Sequence, residues 1–397
     1  TVTTMNNLAL ALDHAGDYFK AVSVGRECVE LRQRVLGREH LTTLTTMSNL
    51  ASALDHAGEY REAVSMGREC MELRQRVLGT GHKETLTTMH NVALALDHAG
   101  EHCEAVSMGR ECVELRQRVL GREHPHTLIT MHNLTLALDH AGEHCEAVSI
   151  GRECVELRQR ALGKEHAHTL TTMFNLASAL DHAGEHDEAV SVGRECMELR
   201  QRVLGREHKD TLITMHNLAL ALNHAKEHCE AIAVGRECMK LRQHVLGMEH
   251  SHTLITMHNL ALALDHAKEY DEAVSMGREC VELRQRVLGR EHKDTVASMH
   301  NLASALDHAG KHREAVTVGR ECVELRRHVL GKEHPSTLAT MHNLASALDH
   351  AGEYCESVAV GRECVEVRQR VLGMEHPNTL NSKRNLALAL DHAREHS

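Results

Sequence analysis

Histidine and carboxylate side chains recur together along this sequence, and both are ligands that zinc uses in proteins. The third copy of the pattern reads D-H-A-G-E-H, beginning at Asp97. Two histidines four residues apart share a helix face, but Gly100 lies between His98 and His102 and is expected to end the helix. The pattern also differs from the H-E-x-x-H arrangement of metalloproteases. We therefore expect packed or solvated histidines, no metal site and no cofactor.

Cysteine is the second group with reactive potential. The chain has 13 cysteines, and nine of them recur every 42 residues from Cys28 to Cys364. If the helices that carry them pack 8–10 Å apart, neighbouring copies lie beyond the roughly 7 Å Cα separation that a disulfide allows. An odd number of unpaired thiols is typical of a reducing compartment. These spacings predict buried apolar cysteines in a cytoplasmic protein.

Catalysis requires one asymmetric set of residues with distinct roles. In this chain nearly every candidate acid, base or thiol is repeated in the same local setting. The sequence contains no glycine-rich phosphate loop and no nucleophile elbow. The prediction is that the chain is not an enzyme.

The composition indicates which elements must position these side chains. The chain has 397 residues, of which 42% are hydrophobic and only 2% aromatic, with no tryptophan. Its core must therefore consist of Leu, Ala, Val and Met, which suits packed helices. So many aliphatic residues argue against disorder, and apolar runs far shorter than about 20 residues argue against a membrane span. The net charge of −11 argues against nucleic-acid binding.

Internal repetition is the strongest pattern in the chain. Similar segments begin every 42 residues, at Met5, Met47, Met89, Met131, Met173, Met215, Met257, Met299 and Met341. A tenth copy lies around Asn385 and has Lys383 in place of the methionine. A fixed period of this length is typical of a solenoid. We predict one solenoid over 1–397, with nine full units in 1–378 and a last helix in 379–397.

Each unit reads as two amphipathic helices. In the third unit a polar stripe follows one face of the first helix, and Gly100 is a stop signal after it. A second helix then carries apolar residues at spacings of three and four, and Gly121 is expected to end it as the C′ residue. The apolar seam consists of Ala105, Met108, Cys112, Leu115 and Val119.

The residue pattern distinguishes between solenoid families of similar period. The spacing of Met257, Leu260, Ala261 and Leu264, followed by Ala273, resembles the tetratricopeptide repeat. The Asn-Leu-Ala core and the Leu-Gly-x-Glu-His-Pro-x-Thr-Leu connection are similar to the 42-residue kinesin light chain type. The resemblance covers essentially the whole chain and implies an all-α, right-handed α-solenoid of tandem helix-turn-helix repeats. It does not define function, because this repeat serves many unrelated scaffolds.

The chain departs from that family at two positions of the second helix. Glycine stands where the family has a large aromatic residue, at Gly25, Gly67, Gly109, Gly151, Gly193, Gly235, Gly277, Gly319 and Gly361. Each such glycine costs about 1 kcal/mol relative to alanine, so we expect either close helix approach or loose packing. The family's tyrosine at the start of the helix remains at Tyr18, Tyr60, Tyr270 and Tyr354 and is histidine elsewhere.

The resemblance also implies a binding surface. First helices line the concave side of tetratricopeptide arrays, and an asparagine there clamps the backbone of a bound peptide. The positions in this chain that match are Asn91, Asn133, Asn175, Asn217, Asn259, Asn301 and Asn343. A carboxamide can donate and accept, as a peptide group requires. The alternative is that each asparagine bonds a neighbouring helix.

Other side chains of the first helices complete the predicted groove. His132, His216 and His258 directly precede these asparagines. Asp139, Asp181 and Asp265 are expected to make the groove acidic and to favour a ligand that carries Lys or Arg. Protonation of all 36 histidines would move the charge from −11 to +25, so with an ordinary pKa near 6.5 we expect acid to weaken such binding.

These observations predict a protein-interaction scaffold that holds an extended peptide segment of a partner in its groove. The alternative is a structural spacer or self-associating array with no dedicated ligand. The absence of the heptad region of kinesin light chains argues against a kinesin subunit. We expect a cytoplasmic segment of a larger multidomain chain, with a protein or peptide partner, no nucleic acid and no membrane.

Overall fold

The computed structural model describes residues 1–396, and every regular element in that part of the chain is an α-helix. Odd-numbered helices are the first helices of the repeats and even-numbered helices are the second. Their bounds are α1 (Val2–His14), α2 (Tyr18–Leu36), α3 (Leu41–His56), α4 (Tyr60–Leu78), α5 (Lys83–His98), α6 (His102–Leu120), α7 (Pro125–His140), α8 (His144–Leu162), α9 (Ala167–His182), α10 (His186–Leu204), α11 (Lys209–His224), α12 (His228–Leu246), α13 (Ser251–His266), α14 (Tyr270–Leu288), α15 (Lys293–His308), α16 (His312–Val329), α17 (Pro335–His350), α18 (Tyr354–Leu372) and α19 (Pro377–Glu395). The predicted all-α repeat fold is confirmed.

Capping side chains and glycines define the helix ends. The Nδ1 atom of His82 accepts a hydrogen bond from the backbone N–H of Glu84 at 3.2 Å, which satisfies one of the unpaired donors of the first turn of α5. At the other end Gly100 has φ +80°, a left-handed conformation that glycine adopts without steric cost. Gly121 ends α6 in the same way, with φ +98°. The stop signals predicted at Gly100 and Gly121 are confirmed.

The chain divides into two compact units, one from Thr1 to Val203 and one that begins at Leu204. Within each unit, consecutive helices pack side by side, and each first helix also contacts the first helix of the next repeat. Among the described helix pairs, no second helix brings its backbone this close to the second helix of the next repeat. The first helices therefore line the inner surface of each unit. The single solenoid over 1–397 stays a prediction.

Aliphatic residues form the core, as the composition predicted. Leu86 and Met89 of α5 are 1% exposed and Cys112 of α6 is fully buried. The mid-helix glycines permit close helix approach: a Cβ atom at Gly67 would lie 2.7 Å from Cγ2 of Val92. Of the two expectations for these glycines, close approach is the one found.

The cysteines are free thiols in two environments. The nine periodic cysteines are buried, and Cys103, Cys145, Cys229 and Cys355 are exposed. Burial raises the pKa of Cys112 to about 11, so this thiol stays protonated and unreactive near neutral pH. None of the described helices combines the length and apolar character that crossing a bilayer requires.

Candidate functional site

Histidines join successive first helices along the inner surface. Nδ1 of His90 lies 3.4 Å from the hydroxyl of Thr130, and Nε2 of His90 lies 3.3 Å from Nδ2 of Asn133. We call the histidines that directly precede the asparagine of a first helix the histidine ladder. Each contacts a threonine or serine hydroxyl of the next repeat. Its members are His90, His132, His216, His258, His300 and His342.

A buried arginine lies behind each step of the ladder and was missed by the sequence analysis. Arg116 is 2% exposed, and its Nη1 donates to the Thr130 hydroxyl and to the His126 carbonyl, each at 2.7 Å. The sequence does carry a signal for it, an arginine followed 14 residues later by Thr or Ser in every repeat. The same contact is made by Arg32, Arg74, Arg158, Arg242, Arg284, Arg326 and Arg368.

This network determines the protonation of the ladder. The Thr130 hydroxyl donates its proton to the His126 carbonyl at 2.9 Å and accepts from Arg116. It has no second proton, so Nδ1 of His90 must donate to it, and Nε2 of His90 then accepts from Asn133. The contacts therefore require a neutral imidazole with its proton on Nδ1.

Burial also favours the neutral form of the ladder histidines. Loss of solvation, followed by the positive charge of Arg116, lowers the pKa of His90 to about 3. The same two causes lower the pKa of His132 and His216 to about 4, with Arg158 and Arg242 as the respective cations. The expectation that all histidines gain charge on mild acidification is therefore wrong for the ladder. Its physical reason is that these rings are buried beside an arginine.

The predicted asparagines lie half-buried on the inner surface. Asn175, Asn259 and Asn301 donate to the ladder as Asn133 does, at 3.2–3.4 Å. In these asparagines one N–H of the carboxamide thus bonds a neighbouring helix, as the alternative predicted. The carbonyl and the second N–H of each carboxamide have no partner among the described residues. Asn91 donates to the hydroxyl of a serine at 3.5 Å. Among the described residues, Asn217 and Asn343 make no side-chain hydrogen bond.

The predicted aspartates lie against imidazole rings at the ends of the first helices. Oδ1 of Asp139 is 2.9 Å from Nδ1 of His144, and its Oδ2 is 2.9 Å from Nδ1 of His182. Only 10% of the Asp139 side chain is exposed. Asp181 contacts His186 and Asp265 contacts His308, at 2.9 and 2.8 Å. These carboxylates are therefore partly covered rather than open to solvent.

Cavities lie between successive first helices of the second unit. One, of about 210 Å³, brings together the predicted site residues His258, Asp265 and Asn301. Gly277 and Ser304 also line it. Further along the same unit, cavities of about 100 and 200 Å³ have equivalent linings. No lysine or arginine is among the residues that line these three cavities.

Small side chains line each of these three cavities. Glycine replaces the family's aromatic residue in each lining, and a serine of the first helix adds room. In the first unit the corresponding space beside Gly109 measures about 10 Å³ and is lined by Leu94. The equivalent residue is a serine in the cavities of about 100 and 200 Å³, Ser304 and Ser346, and a leucine, Leu262, in the cavity of about 210 Å³. The glycine that departs from the family pattern therefore lines each of these spaces, while the volume beside it differs between repeats.

Comparison with known proteins gives the family. The profile described as tetratricopeptide repeat matches residues 1–76, 56–118, 84–160, 136–202, 182–244, 210–285, 252–328 and 337–378. No curated protein sequence gives a significant match. Among solved structures, a Podosopora anserina protein described by its kinesin light chain nearly identical TPR-like repeats is 28% identical, covering 52% of this chain and 98% of that chain with TM-score 0.47.

Two further structures share the fold at low identity. The apo form of RapI is 11% identical over 99% of this chain and 98% of that chain, with TM-score 0.56. A Rap protein complexed with competence and sporulation factor is also 11% identical, covering 94% and 98% of the chains, with TM-score 0.52. Arrays of such repeats present extended surfaces to protein partners, which supports a protein-interaction scaffold in general terms. The chain belongs to the tetratricopeptide repeat family.

Proposed function

We propose that the inner surface of this scaffold binds an extended peptide segment of a partner protein. The observation that carries the proposal is the row of half-buried asparagines on successive first helices, whose carbonyl and second N–H have no partner among residues 1–396. A carboxamide with one free donor and one free acceptor can pair with a peptide group. Repetition at each 42-residue step suits a ligand that runs along several repeats.

The cavities supply selectivity in this proposal. The cavity at His258 has room for a ligand side chain, and Asp265 is the acid in its lining. Burial lowers the pKa of His258 to about 4, so this ring is neutral at pH 7.5 and does not offset the carboxylate. A Lys or Arg side chain of the ligand is therefore favoured over an acidic one.

Preorganisation supports the same function. Asn301 is held by His258 at 3.2 Å, and His258 is held by the hydroxyl of Ser298 at 3.0 Å. Arg284 fixes that hydroxyl from behind at 2.8 Å. A carboxamide fixed before the ligand arrives loses little conformational entropy on binding.

The test is affinity capture with the full chain at pH 7.5, beside a variant with Asn217→Ala and Asn343→Ala. Neither asparagine makes a side-chain hydrogen bond within the described part of the chain, so the variant should remain folded. The control carries Glu282→Ala and Glu324→Ala, two exposed changes on second helices. Proteins kept by the control and lost by the asparagine variant would support peptide binding.

The competing outcome is the spacer. If all three baits recover the same proteins, or none, the inner surface has no dedicated ligand and the proposal fails. We also propose a cytoplasmic location, because the cysteines are free thiols and such thiols are kept reduced there.

A further inference from the structure

Within the two units, three carboxylates outside the ladder each lie between two imidazole rings of the same unit. Oδ1 of Asp97 is 2.8 Å from Nδ1 of His102, and Nδ1 of His140 is 3.0 Å from both carboxylate oxygens. We call such a set an Asp–His–His cluster. The clusters within one unit are Asp97, His102 and His140; Asp139, His144 and His182; and Asp307, His312 and His350.

We propose that each Asp–His–His cluster binds one divalent transition-metal ion, for which Zn²⁺ is the best match. In each cluster one potential ligand atom per residue lies within 4.8 Å of the others. Zinc binds imidazole nitrogen at about 2.0–2.1 Å and carboxylate oxygen at about 2.0–2.2 Å, so tetrahedral ligands stand about 3.3 Å apart. The O···N separations at Asp97 are only a few tenths of an ångström shorter. Small side-chain rotations would admit the ion if each ring carries its proton on Nε2 instead of Nδ1, which leaves the Nδ1 lone pair free to bind the metal.

The ligand set suits zinc in chemistry as well as distance. Two neutral imidazoles and one carboxylate are the ligands of many three-residue zinc sites, which leave a fourth position for water. About half of the His140 side chain is exposed, against 10% of Asp97. The ion would thus be held from the protein side and reached from solvent.

Each cluster joins two repeats. Asp97 and His102 belong to one repeat, at the end of α5 and the start of α6, while His140 ends α7 of the next. His98, which the D-H-A-G-E-H pattern places closer in sequence, instead contacts Asp55 of the preceding repeat at 2.9 Å. An ion at Asp97 would therefore cross-link successive repeats and stabilise their packing.

The chain contains its own incomplete clusters. At Asp55 the histidine of the second helix is replaced by Tyr60, whose ring lies 5.6 Å from that of His98. In the second unit Asn223 takes the place of the aspartate, between His228 at 3.0 Å and His266 at 3.1 Å. Each has the same helix geometry and lacks one metal ligand.

These incomplete clusters give a matched test with ZnCl₂ alone. The full chain, with exposed Cys103, Cys145, Cys229 and Cys355 changed to serine to remove thiol ligands, is titrated by calorimetry at pH 7.5. The loss variant adds His102→Tyr, His144→Tyr and His312→Tyr, and should fold because tyrosine already occupies this position in other repeats. The gain variant adds Tyr60→His alone.

The expected result is one fewer bound zinc for each cluster changed to tyrosine, and one more for Tyr60→His, with affinity at least tenfold tighter than at the incomplete clusters. Zinc should also raise the Tm of the parent more than that of the loss variant. Equal zinc content in parent and loss variant would overturn the proposal, as would no gain on Tyr60→His. Neither readout depends on a peptide ligand, so the outcome is separate from that of the proposed function.

Discussion

Histidines occupy two regions of these repeats, and the charge beside them differs. The ladder histidine His132 lies on the inner surface, bonded to an asparagine and a hydroxyl and close to the positive charge of Arg158. The histidines of the Asp–His–His clusters lie half-exposed at the helix ends, each against a carboxylate. Histidine is therefore a fixed, neutral hydrogen-bonding group in the ladder and an accessible ligand in the Asp–His–His clusters.

The pH dependence of stability is the largest expected difference between the two regions. The folded-state pKa of ladder histidines such as His132 and His300 is about 4, below the unfolded value near 6.5. The unfolded chain therefore takes up protons first as the pH falls. The contribution of such a histidine to stability is complete above pH 6.5 and is lost between pH 6.5 and 4, by about 2 kcal/mol at pH 5 for each ring whose pKa is about 4. Urea unfolding at pH 7.5, 6 and 5 measures it.

A matched variant shows whether the ladder causes this loss. Asn6 occupies the ladder position in the first repeat and accepts from Thr46 and Asn49, at 3.2 and 3.4 Å. His132→Asn should therefore be tolerated at pH 7.5 and should remove one histidine's share of the acid sensitivity. An unfolding midpoint that is the same at pH 7.5 and 5 in the parent chain would contradict the account.

The buried arginine gives the next largest effect. Arg116→Met removes the Nη1 hydrogen bonds to the His126 carbonyl and the Thr130 hydroxyl. It also removes the Nη2 hydrogen bond to the Leu86 carbonyl, and these losses together should cost about 1–3 kcal/mol of the free energy of unfolding. It should also raise the pKa of His90, because one of the two main causes of the lowered value is removed. Chemical denaturation and NMR titration of the histidine ring measure these quantities. An unchanged titration of His90 would show that Arg116 does not influence it.

The exposed Arg110 provides the control for that substitution. It contacts Glu143, the N-cap residue of α8, at 2.6 Å and Glu146 of α8 at 2.7 Å, with 40% of its side chain exposed. Arg110→Met should change the free energy of unfolding by less than about 1 kcal/mol, since solvent screens the pair.

The smallest effect is expected at an exposed histidine outside the ladder. His98 contacts Asp55 at 2.9 Å and is about half exposed, and Tyr60 keeps this site from being a complete cluster. His98→Ala should change the free energy of unfolding by less than about 1 kcal/mol, measured in the presence of a chelator. A loss as large as that of Arg116→Met would remove the distinction between the two regions.

The sequence could predict the features that depend on local residues. The 42-residue period and the helix ends at Gly100 and Gly121 follow from local spacing, and the asparagines of the inner surface are assigned from the family resemblance. The ladder could not be predicted in this way, because its hydrogen bonds join residues 40 and 43 positions apart, such as His90 to Thr130 and Asn133.

The same limit applies to the other inter-repeat features. The D-H-A-G-E-H pattern offers only His98 and His102 as a pair of histidine ligands, whereas the third cluster residue, His140, comes from the next repeat. For the mid-helix glycines, the local sequence does not distinguish close helix approach from loose packing. That distinction depends on the distance to a leucine or valine of the following helix.

The most direct test of the central claim is the affinity of a captured partner's peptide, measured by fluorescence anisotropy at pH 7.5. The account predicts that Asn217→Ala with Asn343→Ala raises Kd at least tenfold, because each carboxamide loses one donated and one accepted hydrogen bond of about 1 kcal/mol. Glu282→Ala with Glu324→Ala should leave Kd unchanged. Equal Kd values for the asparagine variant and the parent would contradict peptide binding on the inner surface.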